Sequence, residues 1–277
     1  MPAPDRYAVI GHPIGHSRSP QIHALFAQQT RQSMRYTAVD IAPEQLAARV
    51  PEFFAGGGRG LNVTVPHKQA VIALTDGLSE RARTAGAANT ILSDAAGGLI
   101  ADNTDGAGLV RDLTHNLRIP VSAQRVLLLG AGGAARGVLA PLLELKPREL
   151  VIANRSPERA LALASAFNSH AAVRGSGFAQ LDGVCFDLII NATAASLQGE
   201  VPPLPASVIG AATICYDLAY AAVDTHFMRW ARERGAAQAH MGLGMLVEQA
   251  AESFYLWRGV RPDTTAVLAV LAAQLSH

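Results

Sequence analysis

The segment Arg125–Gly137, RVLLLGAGGAARG, limits the possible folds of this chain more than any other. Val126–Leu129 is a short apolar run that predicts a buried parallel strand. It leads straight into Gly130-Ala131-Gly132-Gly133-Ala134-Ala135, then into an Ala/Leu-rich stretch that predicts a helix. Strand, glycine turn and helix in this order form the context that a dinucleotide fingerprint requires. Gly130 permits the tight turn, and Gly132 lets the backbone approach a pyrophosphate. Ala135 stands in place of a third glycine and still allows close helix–sheet packing. The helix start offers unpaired N–H groups and partial positive charge to phosphates. An ordinary strand–helix turn would carry the same glycines, so the next strand has to decide.

That strand, Leu150–Ala153, ends in Asn154-Arg155-Ser156-Pro157-Glu158-Arg159. An NAD-binding fold places an acid here, roughly 20 residues past the fingerprint, to hold the ribose 2′-hydroxyl. This chain has an amide, a hydroxyl and two arginines instead. The planar, permanently charged guanidinium suits a phosphate, so the strand end predicts NADP. Ser156-Pro157 also reads as a helix N-cap with proline at the first helical position, and Arg159 also fits a solvated helix face. Arg155, beside the missing acid, carries most of the inference.

Composition sets the remaining bounds. With 277 residues, the chain can build one large or two modest domains. Hydrophobic residues at 49% against 16% charged suit a compact α/β protein. A formal net charge of +1 gives no sign of a nucleic-acid or membrane surface. Cys185 and Cys215 sit in apolar strand-like runs and are expected as buried thiols, with no metal-ligand spacing. Met1–Arg6 holds two prolines and does not read as a signal peptide, so the cytoplasm is the default compartment.

Strands and helices alternate along the chain, which predicts mainly parallel sheet with helices on both faces. Expected strands are Tyr7–Ile10, Tyr36–Ile41, Gly60–Val65, the pair Thr90–Ser93 and Leu99–Asp102, Asp187–Asn191 and Thr213–Asp217. Expected helices are Pro20–Gln29, Pro43–Phe54 interrupted at Pro51, Lys68–Leu74, Glu80–Ala88, Asp105–Leu117, Pro157–Phe167, Thr225–Arg234, Met245–Trp257 and Pro262–Leu275. The fingerprint begins near the middle, so a separate α/β unit precedes it. The domain boundary is expected at the loop Asn103–Gly106, with the substrate held in a cleft between the two lobes.

Four further segments carry chemistry. Gly15-His16-Ser17-Arg18-Ser19-Pro20 follows the first strand, at the end that faces the binding crevice of a doubly wound sheet. Its hydroxyls suit a carboxylate or diol, and Ser19 also suits an N-cap. In Asn62-Val63-Thr64-Val65-Pro66-His67-Lys68, alternation puts Asn62 and Thr64 on one strand face. Lys68 follows, and burial moves a lysine from about 10.4 toward the acid–base range; an exposed lysine at a helix start is the plainer alternative. Asn89 and Asp102-Asn103-Thr104-Asp105-Gly106 gather polar groups at the expected junction. Asp105 can cap the next helix or pair with Lys68 to pass a proton. Gln249 lies one turn after Met245 in an otherwise apolar helix and needs hydrogen-bond partners. His67 is the runner-up acid–base group.

HSRSP, NVTVPHK, GAAN, DNTDG, GAGGAARG, NRSPER, NAT, YDLAY and GLGMLVEQA, in this order, resemble the shikimate dehydrogenase family over nearly the whole chain. The resemblance implies two α/β domains: a substrate-binding domain over 1–104, to which 240–277 returns, and a Rossmann-like NADP-binding domain over 105–239. It implies NADPH-dependent, reversible reduction of 3-dehydroshikimate to shikimate on the way to chorismate and the aromatic amino acids. By the same resemblance, Ser17 and Ser19 hold the substrate carboxylate, and Thr64, Asn89, Asp105 and Gln249 hold ring hydroxyls. Lys68 is the catalytic lysine, paired with Asp105, and Tyr220 lies on the substrate side. Gly130, Ala131, Gly132, Gly133 and Ala134 form the phosphate loop. Asn154, Arg155, Ser156 and Arg159 surround the 2′-phosphate, and Leu218 and Gly242 lie near the nicotinamide. Departures are His67, where phenylalanine is common, and Ala221-Ala222 with Thr225-His226-Phe227 after YDLAY.

Rival readings are a quinate/shikimate dehydrogenase of broader substrate or cofactor range, a non-catalytic NADPH-binding regulator, and a tetrahydrofolate dehydrogenase of related architecture. Lys68 with Asp105 argues against the regulator. HSRSP and DNTDG would lack a purpose in the folate enzyme. The partners expected are a small-molecule substrate, no nucleic acid and no membrane, in a monomer or a homodimer.

Overall fold

The computed structural model describes residues 3–94, 96–167 and 173–275. The chain forms two compact units: Met1–Gly108 with Leu246–Val270, and Leu109–Met245 with Leu271–His277. The first two divisions fall a few residues beyond the positions expected from sequence, inside helices rather than in loops; a third, after Val270, groups Leu271–His277 with the second unit, where the whole of 240–277 was expected to return to the first.

The first unit is built on a six-stranded sheet. In chain order its elements are β1 (Asp5–Gly11), α1 (Ser19–Thr30), β2 (Met34–Asp40), α2 (Leu46–Ala55), β3 (Gly58–Val63), β4 (Gly77–Leu78), α3 (Glu80–Ala85), β5 (Thr90–Ser93) and β6 (Leu99–Asp102). The strand order is β2-β1-β3-β5-β6-β4. β1 runs parallel to β2 and β3, whereas β5 runs antiparallel to both β3 and β6. The expected mainly parallel sheet is therefore mixed here. A tight hairpin joins β5 to β6, and a hairpin can only be antiparallel.

Alternate residues of β1 and β3 point to opposite faces. Ala8, Ile10, Leu61 and Val63 pack with Leu46 and Val50 of α2 on one side. α2 continues through Pro51, the expected interruption, with Phe53 and Phe54 resting on the same core. Loss of one N–H is tolerated because packing, rather than propensity, supplies most helix stability. The other side carries α1. Phe26 of α1 meets Phe254 of α8 (Leu243–Arg258) with ring centroids 5.7 Å apart. Trp257 of α8 donates from Nε1 to the Ile91 carbonyl at 3.1 Å. A Cβ on Gly60 would stand 2.4 Å from that indole nitrogen, so only glycine admits Trp257 here.

The second unit holds α4 from Leu109 onward (Asp105–Arg111 in full), β7 (Arg125–Leu129), α5 (Gly133–Glu144), β8 (Glu149–Asn154), α6 (Pro157–Ser165), β9 (Val173–Gly177), β10 (Phe186–Asn191), β11 (Ile209–Asp217), α7 (His226–Glu233) and β12 (Gln238–Met241). After α8 the chain ends in α9 (Thr264–Leu275). The second sheet is fully parallel, in the order β12-β11-β10-β7-β8-β9. This is the doubly wound arrangement, with its switch point between β7 and β10. Both faces are covered: Val126, Leu128, Ile152 and Ile190 pack against α5 and α6, and Leu127, Leu129, Ile189 and Cys215 against α7. Burial on both faces explains the continuous apolar runs in these strands.

Several local expectations are corrected. Lys68 does not begin a helix; residues 66–69 form a turn, and a short 3-10 helix starts at Ala70. The helix expected through Leu117 changes to a π turn at Asp112–Asn116. Cys185 is exposed rather than buried. Cys215 is buried, and burial pushes its thiol up to about 12. No described helix is long and apolar enough to cross a membrane.

Candidate active site

β3 ends at Val63, and the turn that follows presents Lys68. The turn is held at both ends: the Thr64 N–H donates to Ile10 O, and Lys68 O accepts from the Ala88 N–H at 2.7 Å. Lys68 Nζ donates to Asp105 Oδ2 at 2.5 Å. The two side chains are only 13% and 5% exposed, so neither charge is left to bulk water. Asp105 opens α4, and its N–H donates to Asn103 Oδ1 at 3.1 Å. His67, the alternative acid–base group, is buried, with Nε2 at 2.7 Å from Ile41 O. That bond uses the imidazole to hold the turn.

Asn89 joins the rest of the site. Its Nδ2 reaches Asp105 Oδ1 at 2.8 Å, Thr104 Oγ1 at 2.9 Å and Gln249 Oε1 at 3.1 Å. Its Oδ1 accepts from the Thr104 N–H and from Thr90 Oγ1. Gln249 Nε2 in turn donates to Leu246 O. Gln249 thus has the partners that a buried amide in an apolar helix requires. Asn62 donates from Nδ2 to Asn89 O and accepts the Tyr36 hydroxyl at 2.7 Å. Burial pushes the Tyr36 hydroxyl well above its usual range, against a lowering hydrogen bond from Ser19. Ser19, Asn89, Lys68, Asp105 and Gln249 therefore belong to one connected polar network.

Tyr36, Asn62 and Thr104 complete that network and were not among the expected site residues. Asn62 carried a signal, sharing a strand face with Thr64; Tyr36 had none, because β2 reads as an ordinary strand. Ser19 is the first residue of α1 and not its N-cap, a place that Arg18 takes. Its N–H donates to Ser17 Oγ at 3.3 Å, which links the two serines. Thr64 is half-buried just beyond β3, and its side chain makes no hydrogen bond among the described residues.

In the second unit, the carboxyl ends of β7, β8 and β10 meet at the glycine turn. Gly130 has φ +105°, and a Cβ there would stand 3.0 Å from Ala192 O. Its N–H donates to Ala153 O at 2.7 Å. Gly132 caps α5 in extended geometry, and a Cβ placed on it would meet nothing within 4 Å. Ala131 precedes this cap, and Gly133 and Ala134 form the first turn of α5, above the fully buried Ala135. Asn154 ends β8 and donates from Nδ2 to Ser156 O. Ser156 is at the N-cap position of α6 without a side-chain cap bond. Arg155 and Arg159 are exposed and make no side-chain hydrogen bond or ion pair among the described residues. An open cradle at a helix N-terminus beside two uncommitted guanidiniums fits a dinucleotide with a third phosphate.

Leu218 and Gly242 are also brought together. The Gly242 N–H donates to Ala219 O at 3.0 Å, and a Cβ at 242 would come within 2.4 Å of Leu218 O. Tyr220 lies half-buried two residues beyond Leu218. Just before it, buried Asp217 accepts from Asn191 Nδ2, Ser196 Oγ, Thr225 Oγ1 and the Ala219 N–H. Burial raises its carboxyl, with these donors pulling the other way. This junction ties the loops after β10 and β11 together at the sheet's carboxyl edge; the NAT and YDLAY motifs supply it.

A cavity of about 510 Å³, lined by Arg6, Arg35, Thr37, Arg49 and Phe53 among others, holds none of the site residues above. No group of three His, Cys, Asp or Glu among the described residues could hold a metal ion.

Residues 9–91 match the shikimate dehydrogenase substrate-binding domain, 112–198 the shikimate/quinate 5-dehydrogenase family, and 242–272 the shikimate 5′-dehydrogenase C-terminal domain. The chain is 56% identical to the NADP(+) shikimate dehydrogenase of Methylococcus capsulatus over 99% of its own length and 98% of the relative's. It is similar in structure to an Ael1 enzyme from Pseudomonas putida, with a TM-score of 0.90, 50% identity, and 96% and 98% of the two chains covered. It is also similar to the shikimate 5-dehydrogenase of Thermus thermophilus, solved with NADP(H) and shikimate, with a TM-score of 0.85, 35% identity, and 98% and 99% covered.

Proposed function

The chain belongs to the shikimate dehydrogenase family, and we propose that it reduces 3-dehydroshikimate reversibly to shikimate with Lys68 as the proton donor. It is an NADP-dependent oxidoreductase of aromatic biosynthesis. The observation that carries the mechanism is the Lys68–Asp105 contact at 2.5 Å, inside a network that also ends on Asn89 and Gln249.

NADPH, when bound, supplies the hydride for the substrate's C3 carbonyl. Gly130–Ala134 and the start of α5 receive its pyrophosphate, and Asn154, Arg155, Ser156 and Arg159 its 2′-phosphate. Leu218 and Gly242 bound the nicotinamide end. Ser17 and Ser19 hold the substrate carboxylate, with Thr64, Asn89, Asp105 and Gln249 on its hydroxyls and Tyr220 beside it. Lys68 Nζ gives its proton to the oxygen on which negative charge develops, and takes it back in the oxidative direction. Asp105 holds the ammonium in place and keeps a counter-charge beside it. Residues 1–108 with 246–270 serve as the substrate unit and 109–245 as the cofactor unit. Two free thiols fit a reducing, cytoplasmic setting.

The test is NADP+ reduction at 340 nm with shikimate, run beside quinate and beside NAD+. Turnover confined to shikimate with NADP+ is expected. Comparable turnover with quinate or NAD+ would establish the broader-range enzyme. NADPH binding without turnover on any pair would establish a regulator.

A further inference from the structure

Arg81 lies outside every segment assigned to the site, yet it touches two of the elements that deliver the site's polar groups, β6 and α8. It stands in the first turn of α3, which Ser79 caps by accepting the Ala82 N–H. Its Nε and Nη2 reach Asp102 Oδ1 and Oδ2 at 3.0 and 2.7 Å, a two-pronged grip on one carboxylate. Its Nη1 reaches Glu252 Oε1 at 2.9 Å.

Each of these carboxylates leads to the network by a short path. Asp102 Oδ1 also accepts from Ser79 Oγ and from the Asn103 N–H, both at 2.6 Å. Asn103 Oδ1 then receives the Asp105 N–H, and Asp102 O receives the Asn89 N–H at 3.0 Å. The corner from β6 into α4 is thus fixed by one buried carboxylate, and Asp105 sits on that corner. Glu252 lies three residues after Gln249 on α8 and is also held by Arg261 at 2.5 Å. Asp102, Arg81, Glu252 and Arg261 form an alternating row of charges. Burial pushes the Asp102 carboxyl up, but the Arg81 and Ser79 bonds outweigh it and hold it below the usual carboxylate range.

We propose that Arg81 is a positioning residue for proton transfer, setting Asp105 through Asp102 and Gln249 through Glu252. The proposal rests on the Lys68–Asp105 reading above. A guanidinium suits this place because it offers a rigid fork to one carboxylate and a third donor to another, which an ammonium cannot match. A small displacement of an acid–base pair is costly, since misplacement by about 1 Å can cost ~100-fold in rate.

The experiment is steady-state kinetics and thermal melting of the full chain with Arg81→Met, Arg81→Lys, Asp102→Asn, Glu252→Gln and, in parallel, Lys68→Met. Arg81→Met is expected to lower kcat roughly tenfold to a hundredfold. KM for NADP+ should stay unchanged, and the kcat–pH profile should differ from that of the wild type. Arg81→Lys should recover only part of the rate. The two arms should separate: Asp102→Asn lowers kcat, and Glu252→Gln raises KM for shikimate at near-normal kcat. If Arg81→Met does not fold, Arg81→Lys is read the same way. Arg81 variants that lose melting temperature but keep wild-type kcat, KM and pH profile overturn the proposal while Lys68→Met remains impaired. Wild-type kcat in Lys68→Met overturns the site reading itself, and the proposal with it.

Discussion

Lys68 and Asp105 are 37 positions apart in the chain and meet only through the fold. Lys68→Met removes the proton donor without removing the turn that presents it, whose bonds are made by backbone and by the His67 imidazole. A fall in kcat of roughly 10²–10⁴ is expected, with a much smaller change in KM for shikimate; rapid kinetics in both directions would read it. Equal rates in mutant and wild type would remove Lys68 from the mechanism. Arg155 supports a separate prediction. Its guanidinium has no protein partner among the described residues, so Arg155→Ala breaks nothing in the fold. Losing a charge-assisted hydrogen bond of about 1.5–3 kcal/mol should raise KM for NADPH by about tenfold or more and leave KM for NADH unchanged. A matching rise for both cofactors would show that Arg155 does not read the 2′-phosphate. Both residues were legible in the sequence because each departs from a local rule: a lysine beside a polar strand face, and an arginine where an acid is usual. His67 was ambiguous for the opposite reason, since its role depends on Ile41, a residue 26 positions away.

At the scale of elements, the strand–turn–helix of β7 and α5 separates folding from binding at a single atom. Gly132 has φ −86° and ψ −170°, a conformation open to alanine, and a Cβ there meets no neighbour. Gly132→Ala should therefore leave the melting temperature of the free protein unchanged within about 0.5 kcal/mol of stability. The added methyl would occupy the space through which a pyrophosphate approaches the backbone, so KM for NADPH should rise at least tenfold. A destabilised protein with normal KM would place the phosphates elsewhere. Gly242→Ala should instead lower the melting temperature of the free protein, because its Cβ collides with Leu218 O and the fold itself must give. Strong period and clear punctuation made β5, β6, β7 and α5 readable in advance. β4, β9 and β12 were not: two residues of strand have no period, and Val173–Gly177 is two-fifths glycine. These strands exist because a neighbouring strand offers them an edge, which no local window contains.

At the scale of the molecule, the two units differ in how they use the chain. The second is continuous over Leu109–Met245 apart from the chain's last residues, and its cores draw on strands and helices that follow one another. The first needs Leu246–Val270 to return to it. Trp257 packs on Tyr7 with ring centroids 4.8 Å apart and planes tilted by 35°, Arg258 binds Asp5 and Tyr7, and Asp263 and Gln29 exchange two hydrogen bonds. The last two helices were legible in the sequence as apolar segments, but their destination was not. Periodicity shows that a helix has a face to bury and not which sheet receives it; only the family resemblance indicated the return. A fragment of residues 109–245 should fold by itself, melt cooperatively and bind NADPH, reported by the fluorescence of its single tryptophan, Trp230. A fragment of residues 1–108 should not fold, because the sheet face under α1 loses Phe254 and Trp257 together. Losing the fully buried Phe254 alone costs about 3–5 kcal/mol, a large part of the ~5–15 kcal/mol that holds a typical domain, and the half-buried Trp257 goes with it. Adding residues 246–270 as a separate peptide should restore circular dichroism to the first fragment. If 1–108 folds without the peptide, then Gln249 reaches the network as an accessory, and the first unit is complete before the chain's end arrives.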